Sequence, residues 1–472
     1  MKSNKAEFTY GELLVLFGEN TNYKTDLKTV YRGVSTDTRT IEEGNIFVAI
    51  KGENFDANTK TDEAFEKGAA VAIIDEQYYN RNKNKLAGYN IFPVQNTLKA
   101  LGDLARYHRN RFDIHIIAVG GSNGKTTTKE MIAAVLSKQF NILKTEGNYN
   151  NQIGVPLTLL QLNDTFDAAV IEIGTNEPGE IALLTSIVNP TAGLITNIGR
   201  EHLEKLINRD GVEMEETFLF GYLQKHDGTV LLNIDDDRLK KYKPFLDKNI
   251  PYGTDEDAEI FAQIKFNDKL QPLITIEDKS IMSDIESPFE VSLQVIGYAA
   301  AQNAIAAIAT GIYLKIPPEK IVDALKNYRQ DESKDYARMA LQKIANISIL
   351  NDCYNANPDS MRIALLTLKE MPTEGKKIAV LGDMRELGDA SYDEHIALLN
   401  EAAQSYDNIY VIGKEMEKAA KDIKASNIKT FETHQAIAQT LKSSLSDGDV
   451  ILVKGSRGME MERIIKYLSD NL

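Results

Sequence analysis

Gly120-Gly121-Ser122-Asn123-Gly124-Lys125-Thr126-Thr127-Thr128 is the stretch whose reading decides the fold. Ahead of it, the apolar run Ile114 to Val119 predicts a buried strand. Behind it, from Thr126 to about Ser137, Met131, Ile132, Val135 and Leu136 recur at helical spacing and predict a helix with one apolar face. Strand, glycine-rich turn, Lys, hydroxyl residue and helix together form a polyphosphate cradle. Glycines let backbone N–H groups turn inward, and the helix N-terminus adds positive potential. In such a loop Lys125 reaches the outer phosphates and the Thr126 hydroxyl ligates Mg²⁺. The strict phosphate-loop pattern has a Gly where this chain has Val119, so the loop is a variant. The competing reading is a glycine turn that serves packing alone.

Working outward, 472 residues suggest about three domains at roughly 150 residues each. A net charge of −15 with no basic stretch argues against a nucleic-acid partner. The single cysteine, Cys353, excludes an internal disulfide and a cysteine-rich zinc site. No run approaches the ~18 apolar residues of a membrane span, and Met1 to Lys5 lead into polar sequence. The expectation is a cytoplasmic protein without membrane insertion.

Residues 1–98 read as a small α/β module. Thr9 to Phe17 is helical, Asn45 to Gly52 a strand followed by polar Asn54-Phe55-Asp56, Thr61 to Lys67 a helix, and Ala70 to Ile74 a strand. Ser35, Thr36, Thr38 and Arg39 have the chemistry to bind a phosphorylated ligand, although an ordinary polar turn reads the same way. Leu98 to Asn110 reads as a connecting helix.

After the loop, the strand Asp167 to Ile173 carries Glu172 among apolar neighbours. A carboxylate there is costly unless paired or on a metal, which makes Glu172 a candidate Mg²⁺ ligand. His202 follows the strand Thr191 to Ile198, just past its carboxyl end, where open α/β sheets bind ligands. Asp235-Asp236-Asp237 read as a solvated, helix-capping turn. Residues 258–295 alternate as antiparallel strands, and Ala299 to Ile312 is an alanine-rich helix bearing Asn303.

From about residue 328 a third module alternates again. Ile347 to Leu350, Ile378 to Leu381, Ile409 to Ile412 and Val450 to Val453 are short buried strands with helical runs between. This is a doubly wound α/β pattern. Polar clusters follow its strands at Asn351 to Ser360, Gly382 to Gly388 and Lys454 to Gly458, and imply a ligand-binding face. Cys353 reads as a buried structural thiol.

These motifs, in this order, resemble the Mur ligases, ATP-dependent enzymes that add amino acids to the UDP-linked peptidoglycan precursor. The resemblance rests on Gly121 to Thr127, Asn150-Asn151-x-Ile153-Gly154-x-Pro156, Glu172-x-Gly174 and Thr196-Asn197-Ile198-Gly199-x-x-His202-Leu203-Glu204. Tyr354 to Met361, Leu381 to Gly388 and Lys454 to Gly458 resemble the branch that joins D-alanyl-D-alanine to UDP-N-acetylmuramoyl-tripeptide. The implied fold is α/β in three domains. These are a small N-terminal substrate domain (1–98), a central phosphate-loop ATPase-like parallel-sheet domain (99–327) and a C-terminal Rossmann-like doubly wound domain (328–472).

The resemblance also implies roles, with ATP and Mg²⁺ as cofactors and a monomer as the expected state. Lys125, Glu172 and His202 would be catalytic, with Thr126, Glu172 and His202 on metal. Gly121, Ser122, Asn123, Gly124, Lys125, Thr126, Thr127, Asn303, Arg338 and Asp352 would meet the nucleotide. Ser35, Thr36, Thr38, Arg39, Lys51, Asn150, Asn151, Asn355, Asn357, Lys454, Ser456 and Arg457 would meet the other substrates.

The chain departs from the family twice. Aligned on Gly211-Val212, Glu216 stands where the family has a lysine carbamylated by CO₂ that helps bind a second Mg²⁺. Glu216 could replace that charge in catalysis, but its carboxyl lies roughly 4 Å nearer the backbone and would need a water or a backbone shift. The alternative is a solvated helix residue. Second, Ala299-Ala300 stand where the family has His-Asn or Tyr-Asn, which predicts weaker ATP affinity or relaxed base choice. Two rival functions remain: a sister ligase adding one amino acid such as lysine or diaminopimelate, and a non-catalytic paralogue that binds the nucleotide precursor.

Overall fold

Alternation explains why the run before the phosphate loop is a strand inside a sheet. In the computed structural model, which describes residues 4–52, 55–279, 287–329 and 338–471, the strand is His115–Gly120. Ile116 and Ala118 point into a core shared with the helices Thr97–Arg109, Gly154–Leu159 and Glu180–Val188. Ile117 and Val119 point the other way, against the helices Lys125–Leu136 and Tyr298–Tyr313. A strand buried on both faces reads as a continuous apolar run, as here. Asn54 lies outside the described residues.

Nine described strands make the central sheet. Their order is Phe289–Ser292, Pro272–Asp278, Ile260–Phe266, Asn249–Gly253, Thr229–Asn233, Ala192–Ile195, His115–Gly120, Ala168–Glu172 and Ile142–Lys144. From Ile260–Phe266 onward neighbouring strands run parallel, and the two outer strands before it add antiparallel. The antiparallel edge expected over 258–295 is present. Helix Tyr298–Tyr313 lays Ala301, Ala304, Ile305 and Ile308 against Met131, Ile132 and Val135, and its small side chains let the two helices approach closely.

The C-terminal sheet runs Ala340–Ile344, Ile347–Asp352, Val450–Lys454, Lys377–Gly382, Asn408–Ile412 and Ile428–Phe431. All pairs are parallel except the first. Ala379 and Leu381 face the helices Pro358–Glu370 and Ser391–Ala403, while Ile378 and Val380 face His434–Ser444 and Glu462–Asn471. This is the doubly wound arrangement expected. Cys353 is buried there.

The N-terminal part holds a four-stranded parallel sheet, Val34–Ser35, Ile46–Val48, Val71–Asp75 and Ile91–Val94. A short antiparallel pair, Glu7–Thr9 with Val30–Arg32, stands beside it. Thr9 and Glu12 form a reciprocal capping box that starts the helix Tyr10–Phe17. The acids at 235–237 correct one expectation. Asp236 caps Asp237–Lys240 as foreseen, but Asp235 and Asp236 are half-buried rather than solvated. Asp235 accepts from the Thr254 and Asp255 amides, and Asp236 from the Ile198 amide. No described helix is long and apolar enough to cross a membrane.

Candidate functional site

The carboxyl ends of the central and C-terminal sheets face one another across a cavity of about 310 Å³. The phosphate loop forms one wall. Gly121 has φ +108, and a Cβ there would lie 2.4 Å from Thr196 Oγ1. Gly124, at φ +84, begins the helix, and a Cβ would lie 2.5 Å from Asn303 Oδ1. Only glycine lets the loop lie this close to its neighbours. Ser122, Asn123, Gly124, Lys125, Thr126 and Thr127 line the cavity; Gly121 lies behind them.

Lys125 Nζ donates to the Gly121 carbonyl and lies 3.4 Å from Glu201 Oε2. Burial pulls its ammonium down, but Glu201, Glu216 and Glu172 more than offset this and hold it above the ordinary lysine value. Glu172 ends its strand, 2 % exposed. Its Oε1 accepts from Thr126 Oγ1 at 3.1 Å and Asn150 Nδ2 at 2.9 Å. Its Oε2 is buried without a hydrogen-bond partner, 3.4 Å from the Lys129 ammonium.

The turn after Ala192–Ile195 is tied to the loop. Asn197 exchanges hydrogen bonds with the Asn123 backbone, and the Gly199 amide donates to Ser122 Oγ. The C-terminal part closes over this turn. Asn357 caps its own helix and donates to Asn123 Oδ1 at 2.9 Å. Arg200 meets Asp359 through its amide at 2.6 Å and its guanidinium at 2.8 Å, and Glu394 at 3.1 Å. His202 Nδ1 lies 2.6 Å from Glu386 Oε2, and Nε2 lies 3.9 Å from Glu201. Burial lowers the His202 pKa, but Glu386 and then Glu201 outweigh it and leave the imidazole above its usual value.

Asn303, Arg338, Asp352, Asn150, Asn355, Asn357 and Lys454 line the same cavity, as do Ala299 and Ala300. Asn303 Oδ1 accepts from Thr128, Arg338 lies over the Tyr354 ring at 3.8 Å, and Lys454 Nζ pairs with Asp352 at 2.6 Å. Other candidates lie elsewhere. Asn151 starts the helix Gly154–Leu159 by accepting from the Ile153 and Gly154 amides. Ser456 is buried, between the Arg385 amide and the Ala356 carbonyl, and Arg457 pairs with Glu462. Ser35, Thr36, Thr38, Arg39 and Lys51 sit in the N-terminal part, away from the cavity wall. There Ser35 Oγ bonds within its own turn, Thr38 donates to Glu63, and Arg39 pairs with Asp37.

Glu216 departs from the reading of a solvated helix residue. It is fully buried, not solvated, and is not part of the cavity wall. Its Oε2 accepts the Gly121 amide at 2.8 Å, and its Oε1 has no hydrogen-bond partner. Burial pushes its carboxyl up to about 8, against the pull of Lys125. Glutamate's short reach leaves it beneath the loop, so it braces Gly121 and faces Lys125 from below. Next to it, Glu215 accepts the Gly179 and Ile181 amides at the start of helix Glu180–Val188.

Among the described residues, no three His, Cys, Asp or Glu side chains gather to cage a metal ion alone. The donors fit a cation shared with phosphates instead: a buried carboxylate oxygen of Glu172 without a hydrogen-bond partner, beside a Thr126 hydroxyl in a phosphate loop. His202 lines the same cavity without joining such a cage. Glu201, Arg200 and Lys129 carry no signal of their own in the sequence, because each gains its place through partners far along the chain, while Glu386 falls within the polar cluster Gly382 to Gly388.

Comparison with known proteins identifies the family. Three family models match in chain order: "Mur ligase family, catalytic domain" over 30–109, "Mur ligase middle domain" over 119–311 and "Mur ligase, glutamate ligase domain" over 337–457. The UDP-N-acetylmuramoyl-tripeptide–D-alanyl-D-alanine ligase of Bacillus subtilis is 35 % identical over 453 residues, 94 % of each chain. A crystal structure of MurF from Acinetobacter baumannii superposes with a TM-score of 0.87 at 30 % identity, covering 99 % of this chain and 100 % of that one. MurF ligase from Thermotoga maritima in complex with ADP gives 0.80 at 26 % identity, covering 93 % and 97 %.

Proposed function

The chain belongs to the Mur ligase family, and we propose that it works there as the ATP-dependent ligase joining D-alanyl-D-alanine to UDP-N-acetylmuramoyl-tripeptide. Its product is the pentapeptide precursor of peptidoglycan, with ADP and phosphate released. One observation carries the site assignment. Lys125, Thr126 and Glu172 line the same cavity as Asn355, Asn357 and Lys454 of the C-terminal part.

A terminal carboxylate oxygen of the tripeptide attacks the γ-phosphorus of ATP, and the bond to ADP breaks, leaving an acyl phosphate. The amine of D-alanyl-D-alanine then attacks the acyl carbon and loses a proton. The bond from that carbon to the phosphate oxygen breaks as the amide forms. Phosphate therefore leaves with one oxygen from the carboxylate.

Lys125 swings from the Gly121 carbonyl to the transferring phosphoryl group and offsets its charge. The loop amides hold the β-phosphate side of the chain at the helix N-terminus. Thr126 and Glu172 would hold Mg²⁺, which would further neutralise phosphate charge. Glu386 holds His202 Nδ1, which leaves Nε2 on the Glu201 side of the cavity. In this reading Asn303, Arg338 and Asp352 meet the nucleoside part, supported by their place in the lining of the same cavity. In this reading Ser35, Thr36, Thr38, Arg39 and Lys51 meet the UDP part, supported by the resemblance of their motifs to the family's N-terminal substrate domain. We place the protein in the cytoplasm as a monomer, a reading supported by its single unpaired cysteine and by the family's habits.

The test uses tripeptide carrying ¹⁸O in its terminal carboxylate. One ¹⁸O per released phosphate is expected. Release of phosphate without ¹⁸O overturns the acyl-phosphate route.

A further inference from the structure

Lys129 is a fully buried lysine outside the cavity wall, with no part in the reaction above. Burying an ammonium is costly unless it is paired, and an apolar residue of similar size would fill the same space without that cost. Its surroundings account for it. Nζ donates to the Gly147 carbonyl at 3.0 Å and lies 3.3 Å from Glu130 Oε1 and 3.4 Å from Glu172 Oε2. Glu130 is partly exposed and is also paired with Lys144. Glu172 is almost completely buried.

The two oxygens of Glu172 therefore have separate environments. Oε1 is engaged by Thr126 and Asn150, on the cavity side. Oε2 has no hydrogen bond and lies 3.4 Å from the Lys129 ammonium, while Lys125 acts on the same carboxylate from the cavity side. A divalent cation drawn to this carboxylate meets that positive charge a few ångströms away, with little water to screen it. Among the described residues no three His, Cys, Asp or Glu side chains gather here to cage the cation, and Glu130, the other acid beside Lys129, is itself paired with Lys144.

We propose that Lys129 is a positioning residue that neutralises Glu172 in the nucleotide-free protein, so that the divalent cation enters with the nucleotide rather than before it. The phosphates of ATP supply the missing negative charge and ligands, and only then does Glu172 exceed its lysine counter-ion. The same side chain fixes the turn carrying Asn148 and Asn150 through the Gly147 carbonyl, so the turn and Glu172 keep one geometry in both states. This rests on the reading of Glu172 as a metal ligand.

The experiment titrates Mn²⁺ into full-length protein, with and without ADP, and follows free Mn²⁺ by electron paramagnetic resonance. Wild type is expected to bind Mn²⁺ at least tenfold more weakly without ADP than with it. Lys129→Met is expected to tighten nucleotide-free binding at least tenfold, and Glu172→Gln in that background to remove the gain. Lys129→Gln keeps a donor for the Gly147 carbonyl without the charge; it is expected to behave like Lys129→Met, and stands in for it if that variant does not fold. Nucleotide-free affinity unchanged or weakened in the neutral variants overturns the proposal, while loss of ADP-dependent binding in Glu172→Gln alone would still support the metal-ligand reading. Wild-type ADP-dependent binding in Glu172→Gln overturns that reading and the proposal with it.

Discussion

The amide N–H of Gly121 donates to Glu216 Oε2 at 2.8 Å, so the phosphate loop rests on a buried carboxyl group. That group's pKa rises from 4.5 to about 8, chiefly through burial. A carboxyl raised on folding contributes stability that is complete below its unfolded value and is lost as pH rises through its folded value. The melting temperature is therefore expected to fall by about 2–5 °C more in wild type than in Glu216→Gln as pH rises from about 5 to 9. Calorimetry at several pH values checks this, and parallel curves contradict it.

Glu216 also removes the lysine on which the family forms its carbamate. Turnover is expected to be the same, within about twofold, in CO₂-stripped buffer and in buffer with added bicarbonate. Bicarbonate-dependent recovery of phosphate release would show that another amine takes the carbamate. Glu216→Gln keeps an acceptor for the Gly121 amide and resembles the carboxyl that burial keeps neutral below about pH 8, so near pH 7 it is expected to change turnover less than about threefold.

Lys454 and Asp352 form an ion pair whose side chains are only 2 % and 14 % exposed. The lysine also donates to the Asn355 carbonyl at 2.9 Å. Lys454→Met leaves a nearly buried carboxylate without its cation, at a cost of about 3 kcal/mol. Urea unfolding measures this directly; a loss below about 1 kcal/mol means that water reaches Asp352.

Arg200 joins the turn beside the phosphate loop to Asp359 and Glu394 across the cavity. These groups are about a third exposed or less, so the contacts guide closure more than they stabilise the fold. Arg200→Ala is expected to raise the KM for ATP about five- to tenfold with a change in melting temperature under about 2 °C. A large loss of melting temperature with an unchanged KM contradicts this. The neighbouring His202–Glu386 pair adds a pH dependence. Its raised imidazole pKa makes the pair complete below the usual histidine value and weaker as pH rises above it.

Much of this architecture could be read from alternation alone. Ile114 to Val119 and Ile378 to Leu381 are apolar on both faces because helices cover both sides of their sheets. Three strands lack that signature, each for a physical reason. Ile142–Lys144 and Ile428–Phe431 are edge strands with partly exposed side chains. Asn249–Gly253 carries Pro251 and a terminal glycine, which read as a turn. The phosphate loop, Glu172 and His202 were legible because residue type and strand end coincide. Glu216 was legible as a position but not as a direction. Helix Arg209–Glu216 buries three acids, Glu213, Glu215 and Glu216, each held by partners distant in sequence.

The most direct test of the ligase assignment is phosphate release from ATP by purified protein, with each of ATP, UDP-N-acetylmuramoyl-tripeptide and D-alanyl-D-alanine omitted in turn. The account predicts release only when all three are present, with a matching pentapeptide product by mass and a loss of about 10³-fold in Lys125→Met. Binding of ATP or the tripeptide with no release under any combination would contradict it, and would leave a protein that binds these ligands without joining them.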